Sequence, residues 1–203
     1  FAFFYKGFLS DIACFSYWSN RVYTGGFADF YSPDVFTDYP PGYMYVLYII
    51  GALQAAFHME YLSGASLLLL KLPAILCDLG AGYLIYRITV KKSPQNIALA
   101  LTAAYLFNPA VFINSSMWGQ VDAVFTLTLL LMCMLLTEGK TIPAYYVFAL
   151  GVLLKPQTLV FTPLLLFGIY EHVFAKGFNR KNFFTNLFSG LGAIGCMVIA
   201  SLP

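Results

Sequence analysis

The stretch SGASLLLLKLPAILCDLGAGYLIYRI, Ser63 to Ile88, is apolar over a length that crosses the ~30 Å hydrocarbon core of a bilayer as a single helix. Only Lys71, Asp78 and Arg87 interrupt it. Further apolar runs lie at Ile97 to Ile113, Gln120 to Leu136, Ile142 to Leu154, Thr158 to Tyr170 and Phe184 to Leu202. Several fall short of ~20 residues, which predicts tilted or interrupted helices. The whole chain is 60% hydrophobic and 10% charged with a mean hydropathy of +0.76, so the expected fold is all-α, a polytopic helical membrane protein. A net charge of +2 and the lack of a basic stripe exclude a nucleic-acid partner. Cys14, Cys77, Cys133 and Cys196 are too scattered to form a metal site or a disulfide framework.

Charge placement orders these runs. Gly42 to Phe57 is apolar but short and comes after a double proline, so it reads as a juxtamembrane helix. With that segment not crossing, Lys91-Lys92, Lys140, and Lys176 with Arg180-Lys181 share one face, which the positive-inside rule makes the cytoplasm. The opposite face then receives Asp11 to Pro41, Asn114 to Asp122 and the Lys155-Pro156-Gln157 turn. Residues 1–62 are thus expected to form an outer loop with juxtamembrane helices, and residues 63–203 the transmembrane helices of a single domain. A start at Phe1 and an end in an apolar run suggest a piece of a longer protein with flanking helices missing here.

Polar groups in such a chain are costly and point to a working site. Asp11 opens an amphipathic, aromatic-rich stretch; it is either a helix cap, which spacing alone favours, or a general base for transfer to an acceptor. Asp38, in Asp38-Tyr39-Pro40-Pro41, suits the N-terminus of the next helix. Lys71 and Asp78 lie two turns apart on one helix face; Lys71 suits snorkelling or an anionic head group, and Asp78 suits equally an interhelical bond or ion pair and a functional role. Trp118, Gln120 and Asp122 combine a ring, an amide and a carboxylate, a set that recognises sugars, although Asp122 also fits the first turn of a helix. Lys155 and Gln157 interrupt an apolar run, as a surface hairpin or as a phosphate contact. His58 and His172 lie at segment ends and read as interfacial.

In this order the islands resemble the membrane glycosyltransferases of the GT-C fold that use lipid-linked sugars: the dolichyl-phosphate-glucose glucosyltransferases, the protein O-mannosyltransferases and the bacterial membrane mannosyltransferases. Asp11 with the run to Tyr31, then Asp38-Tyr39-Pro40-Pro41-Gly42, resembles their first outer loop. Leu70 to Asp78 resembles their second spanning helix, Asn108-Pro109 through Asp122 the outer turn between the third and fourth, and Lys155-Pro156-Gln157 a later lysine-glutamine element. Two departures stand out. Ile12 succeeds Asp11 where the O-mannosyltransferases have an acidic pair, and Trp118 to Asp122 is not the His-Phe-Gln string of the glucosyltransferases.

The resemblance implies an inverting glycosyltransferase, with mannose or glucose as the sugar and a polyprenyl-phosphate monosaccharide as donor. The acceptor would be a glycan, a lipid-linked molecule or a protein. Asp11 would be the catalytic base, Lys155 and Lys71 would bind the donor phosphate, and Asp38, Tyr39, Trp118, Gln120, Asp122 and Gln157 would contact sugar or acceptor. No metal and no cofactor is implied. The active site would face the outer or lumenal side, in a bacterial plasma membrane rather than the endoplasmic reticulum. The competing reading is a multi-pass transporter or lipid flippase, with Lys71, Asp78 and Lys155 as midplane ligands.

Overall fold

The computed structural model describes residues 1–175 and 177–202, and every regular element among them is helical. Contacts divide the chain into two compact units, Phe1–Tyr39 with Tyr43–Leu127, and Pro40–Gly42 with Thr128 onward.

In the first unit, α1 (Leu9–Gly25) buries Ile12, Phe15, Trp18 and Val22, a three-to-four-residue spacing that draws one apolar stripe along the helix. Helix α2 (Pro41–Ala56) begins on Pro41, where a missing N–H costs nothing in the first turn. It has 16 residues, fewer than a spanning helix needs. Ser63 caps α3 (Gly64–Thr89), its hydroxyl accepting the Ser66 N–H at 3.3 Å. Helix α4 (Gln95–Leu106) packs back along α3 after a turn that carries Lys91 and Lys92.

The apolar run from Ile97 to Ile113 forms an interrupted helix. The Asn108 side chain accepts the Ala110 N–H at 2.9 Å and Pro109 supplies no N–H, so the chain stops and restarts as α5 (Pro109–Phe112). A π-helical turn, Ile113–Trp118, comes directly after it, and the broken span bends by 45°. Much of the expected outer loop from Asn114 to Asp122 is therefore wound into helix.

In the second unit, the remainder of α6 (Asp122–Thr137) leads to α7 (Thr141–Leu154), a 3-10 turn (Pro156–Phe161), α8 (Thr162–Phe174) and α9 (Arg180–Ala200). Leu136 of α6 meets Gly168 of α8, while Gly151 of α7 meets Thr158 of the 3-10 turn, so α7 and α8 form a hairpin. Helix α9 leaves Phe188, Leu191, Ile194 and Val198 exposed, an outward apolar surface that suits lipid.

Among the described residues three helical segments are long and apolar enough to span: Gly64–Thr89, Pro156–Phe174 and Arg180–Ala200. The bent pair Gln95–Leu106 with Pro109–Trp118 is a fourth if taken as one broken span. The protein is an all-α integral membrane protein, as expected. Within the first unit, Lys71 bonds to Ser116 and Met117, which puts the π-turn at the opposite end of α3 from Lys91 and Lys92. The 18 residue-to-residue steps from Lys71 to Thr89 rise about 27 Å, nearly the thickness of the hydrocarbon core. Within the second unit, Lys140 shares one end with Arg180 and Lys181, and Lys155 lies at the other. Lys176, counted with that cluster, lies outside the described residues.

Single cysteines at Gln120 and Lys92, in a protein otherwise free of cysteine, should react with a membrane-impermeant maleimide from opposite sides of sealed vesicles. Labelling of both from one side would refute the proposed topology.

Candidate functional site

The site begins with a buried cation. Lys71 is fully buried on α3, and its ammonium donates to the carbonyls of Tyr5 (2.6 Å), Met117 (3.0 Å) and Ser116 (3.2 Å). Carbonyls at the end of a helical turn lack intrahelical partners, and a cation there both satisfies them and complements the dipole. With all three N–H groups directed at the backbone, Lys71 has none to offer a phosphate. In this structure Lys71 forms a tether between the N-terminal segment and the π-turn.

Beside the tether, Gly119 ends the π-turn in the left-handed region at φ 91°, and Gly7 lies against the Trp118 carbonyl at φ 75°. A Cβ on Gly7 would stand 2.3 Å from that oxygen, so only glycine lets the segments meet. The next N–H, of Phe8, donates to the same carbonyl at 3.1 Å.

This docking delivers Asp11 to the polar string. Asp11 sits in the first turn of α1, whose N-cap is Phe8, so it does not cap the helix as spacing alone favours. Its Oδ2 accepts from Gln120 Nε2 and from Trp118 Nε1, the latter at 3.4 Å across 107 residues of sequence. Its Oδ1 has the Ser10 hydroxyl at 3.4 Å. One oxygen is thus held by two side chains while the other keeps lone-pair capacity to accept a proton. The Trp118 ring packs on Phe8 at 5.4 Å between centroids and remains 45% exposed, enough to offer an open face.

Asp122 begins α6 and accepts from Asn114 Nδ2 at 3.2 Å, so it is a first-turn acid and also ties the helix to the π-turn. Tyr39 stacks among Phe15, Trp18 and Tyr43, at 5.4, 5.8 and 5.6 Å between centroids. Burial raises its phenol pKa, and the charges of Asp122, Asp38 and Asp11 raise it further, so the group stays protonated at neutral pH. Those three carboxylates therefore lie within electrostatic reach of Tyr39, and Asp38 itself is exposed. Burial, then Asp11 and Asp38, likewise raise the Cys14 thiol pKa. Among the described residues no group of three or more His, Cys, Asp or Glu is arranged to hold a metal ion.

The first unit thus assembles Asp11, Asp38, Tyr39, Trp118, Gln120 and Asp122. Lys155 and Gln157 belong to the second unit: Lys155 is extended at the end of α7, and Gln157 is exposed in the 3-10 turn. Asp78 is buried and accepts from Tyr105 at 3.2 Å, an interhelical bond, one of the two readings its position allows. Sequence reasoning did not find Gly7, the Tyr5 carbonyl or Cys14 as parts of this centre. Only the Gly-Phe pair before α1 carried a local signal.

A cluster of one carboxylate, an amide and a ring, carried on membrane helices, suits a transferase of polar groups. The chain is an integral membrane glycosyltransferase, since residues 36–202 match a family model of that class. The family is Glycosyltransferase family 87, and the chain belongs to it. No curated protein and no solved structure matches the chain. The match takes in every candidate residue from Asp38 to Gln157 and begins after Asp11. Membership decides for a transferase over a transporter or flippase.

Lys71→Met should lower stability by about 2–3 kcal/mol by leaving buried carbonyls without a donor, read as a lower Tm in detergent. An unchanged Tm would dismiss the tether.

Proposed function

We propose that this glycosyltransferase moves one hexose, mannose or glucose, from a polyprenyl-phosphate sugar to an acceptor hydroxyl with inversion at the anomeric carbon. The observation that carries the reading is Asp11, which Gln120 and Trp118 hold through one oxygen while the other stays available. Asp11 takes the acceptor proton as the new bond to C1 forms on the face opposite the phosphate. The C1–O bond to phosphate breaks with its electron pair, and polyprenyl phosphate leaves. Acceptor hydroxyl plus donor gives glycoside plus lipid phosphate plus the proton on Asp11.

Trp118 stacks on the sugar, and Gln120, Asp122, Asp38 and Tyr39 contact sugar or acceptor hydroxyls. The neutral Tyr39 phenol serves there as a donor. Lys155 is assigned to the leaving phosphate on its charge and its place at a helix break, and Gln157 to sugar or acceptor contact on its place beside it. Lys71 acts indirectly, by holding the π-turn that presents Trp118 and Gln120. The reaction takes place on the outer face of a bacterial plasma membrane, a placement supported by the cations at the far ends of both units from the polar groups. Both units belong to one transmembrane domain.

Full-length protein in detergent, given radiolabelled polyprenyl-phosphate mannose and glucose, should show transfer that drops about 10²–10⁴-fold in Asp11→Asn. Undiminished transfer in that variant would remove Asp11 from the role of base.

Gln120→Glu gives a second readout. The substitution removes the amide N–H that Asp11 Oδ2 accepts and sets a like charge against it, so transfer should fall about tenfold with the fold retained. Undiminished transfer in Gln120→Glu would show that Gln120 does not hold Asp11 for the reaction.

A further inference from the structure

Two openings in the first unit are left unused by this chemistry. The larger, about 720 Å³, lies between α1, α2 and the turn into α3, and its lining includes Ser16, Asn20, Gln54, His58 and Ser66. The smaller, about 440 Å³, lies one turn earlier along α1 and is lined by Cys14, Trp18, Asp34 and Phe36. Tyr17 and Tyr61 line both, so the openings adjoin as one groove along α1. Cys14, at the near end, lies one turn from Asp11 and within reach of its charge and that of Asp38. The groove thus runs from the neighbourhood of the proposed base to a roomy polar cavity.

Beneath it, among apolar side chains, runs a hydrogen-bonded relay. The buried Ser19 hydroxyl donates to Gln54 Oε1 at 3.1 Å, and Gln54 Nε2 donates to the buried Ser66 hydroxyl at 2.8 Å. The second N–H of Gln54 is not spent in that relay. The side chains of Asn20, Tyr17, Tyr61 and His58 make no hydrogen bond to another described residue, so their donors and acceptors are open to a ligand. His58 is held in the left-handed region at φ 47°, which sets the direction of the turn that closes the cavity. Neither opening has a Lys or Arg in its lining, so a phosphate or an anionic headgroup finds no counter-charge. Against a lipid tail, the polar atoms of Asn20, Gln54 and His58 would go unpaired. Amides, hydroxyls and tyrosine rings are the groups that meet the hydroxyls and C–H faces of neutral sugars.

We propose that this groove binds the acceptor as an oligosaccharide, with its terminal sugar at Asp11 and the sugars behind it reaching Asn20 and Gln54. Nine residues of α1 separate Asp11 from Asn20, about 13 Å along the axis, which is longer than one pyranose ring. The inference rests on the transferase reading above and adds the acceptor class and the residues that measure its length.

The test uses full-length protein and α-linked mannose and glucose oligomers of one to four sugars. The first arm is direct binding, monitored by ligand-observed NMR with no donor present. Wild type should bind tri- and tetrasaccharides more tightly than the monosaccharide, and Asn20→Ala and His58→Ala, both at exposed positions, should weaken the longer ligands about tenfold, the scale of one lost hydrogen bond. The second arm is transfer. The preference in kcat/KM for trisaccharide over monosaccharide should fall about tenfold in the same variants. No length preference in wild-type binding, or a preference untouched by both substitutions, overturns the groove. Absence of transfer beside intact, variant-sensitive binding would instead sink the donor chemistry and leave the carbohydrate site standing.

Discussion

The burial of the Lys71 ammonium is the constraint on which the first unit depends. An unpaired cation within a membrane helix is expensive, and here the expense is offset by three backbone carbonyls drawn from two distant segments. Tyr5 and the end of the π-turn are therefore fixed to the same point of α3. Once they are, Gly7 and Phe8 settle on the Trp118 carbonyl, and α1 starts at a height that puts Asp11 level with Gln120. A residue remote in function from the carboxylate thus decides where that carboxylate stands.

Around that point the chemistry is divided between rigidity and access. Phe15, Trp18, Tyr39 and Tyr43 form an aromatic wall behind the carboxylates, while Trp118 and Asp38 keep open surface. Binding aromatic rings to one another supplies shape at little cost in side-chain freedom. Membership in a glycosyltransferase family gives the chain its class.

The helical membrane fold was legible because its signal is length and apolarity: Ser63 to Ile88 and the observed Gly64–Thr89 differ by one residue at each end. The break at Asn108-Pro109 was written in the sequence too, as a capping side chain ahead of a proline, yet the apolar run on both sides concealed it. The grouping of Asp11 with Trp118 and Gln120 was reached through charge placement, although the bond across 107 residues was not. The partners of Lys71 were not legible, because a buried lysine with backbone partners and a lysine awaiting an anion have the same sequence signature. Only the positions of the carbonyls separate them. The π-turn was invisible, since Ile113 to Trp118 carries no composition that distinguishes it from a loop.

That turn has an implication for how the chain tolerates change. A π-helical turn accommodates surplus length within a helix, and each residue added or removed there rotates the downstream chain by roughly 100°. Trp118 and Gln120 emerge directly from it, so their aim at α1 is set by how many residues lie between Pro109 and Gly119 more than by which residues they are. The segment behaves as a ruler: side chains along it are exchangeable within packing limits, whereas a deletion of one residue turns the amide and the indole away together.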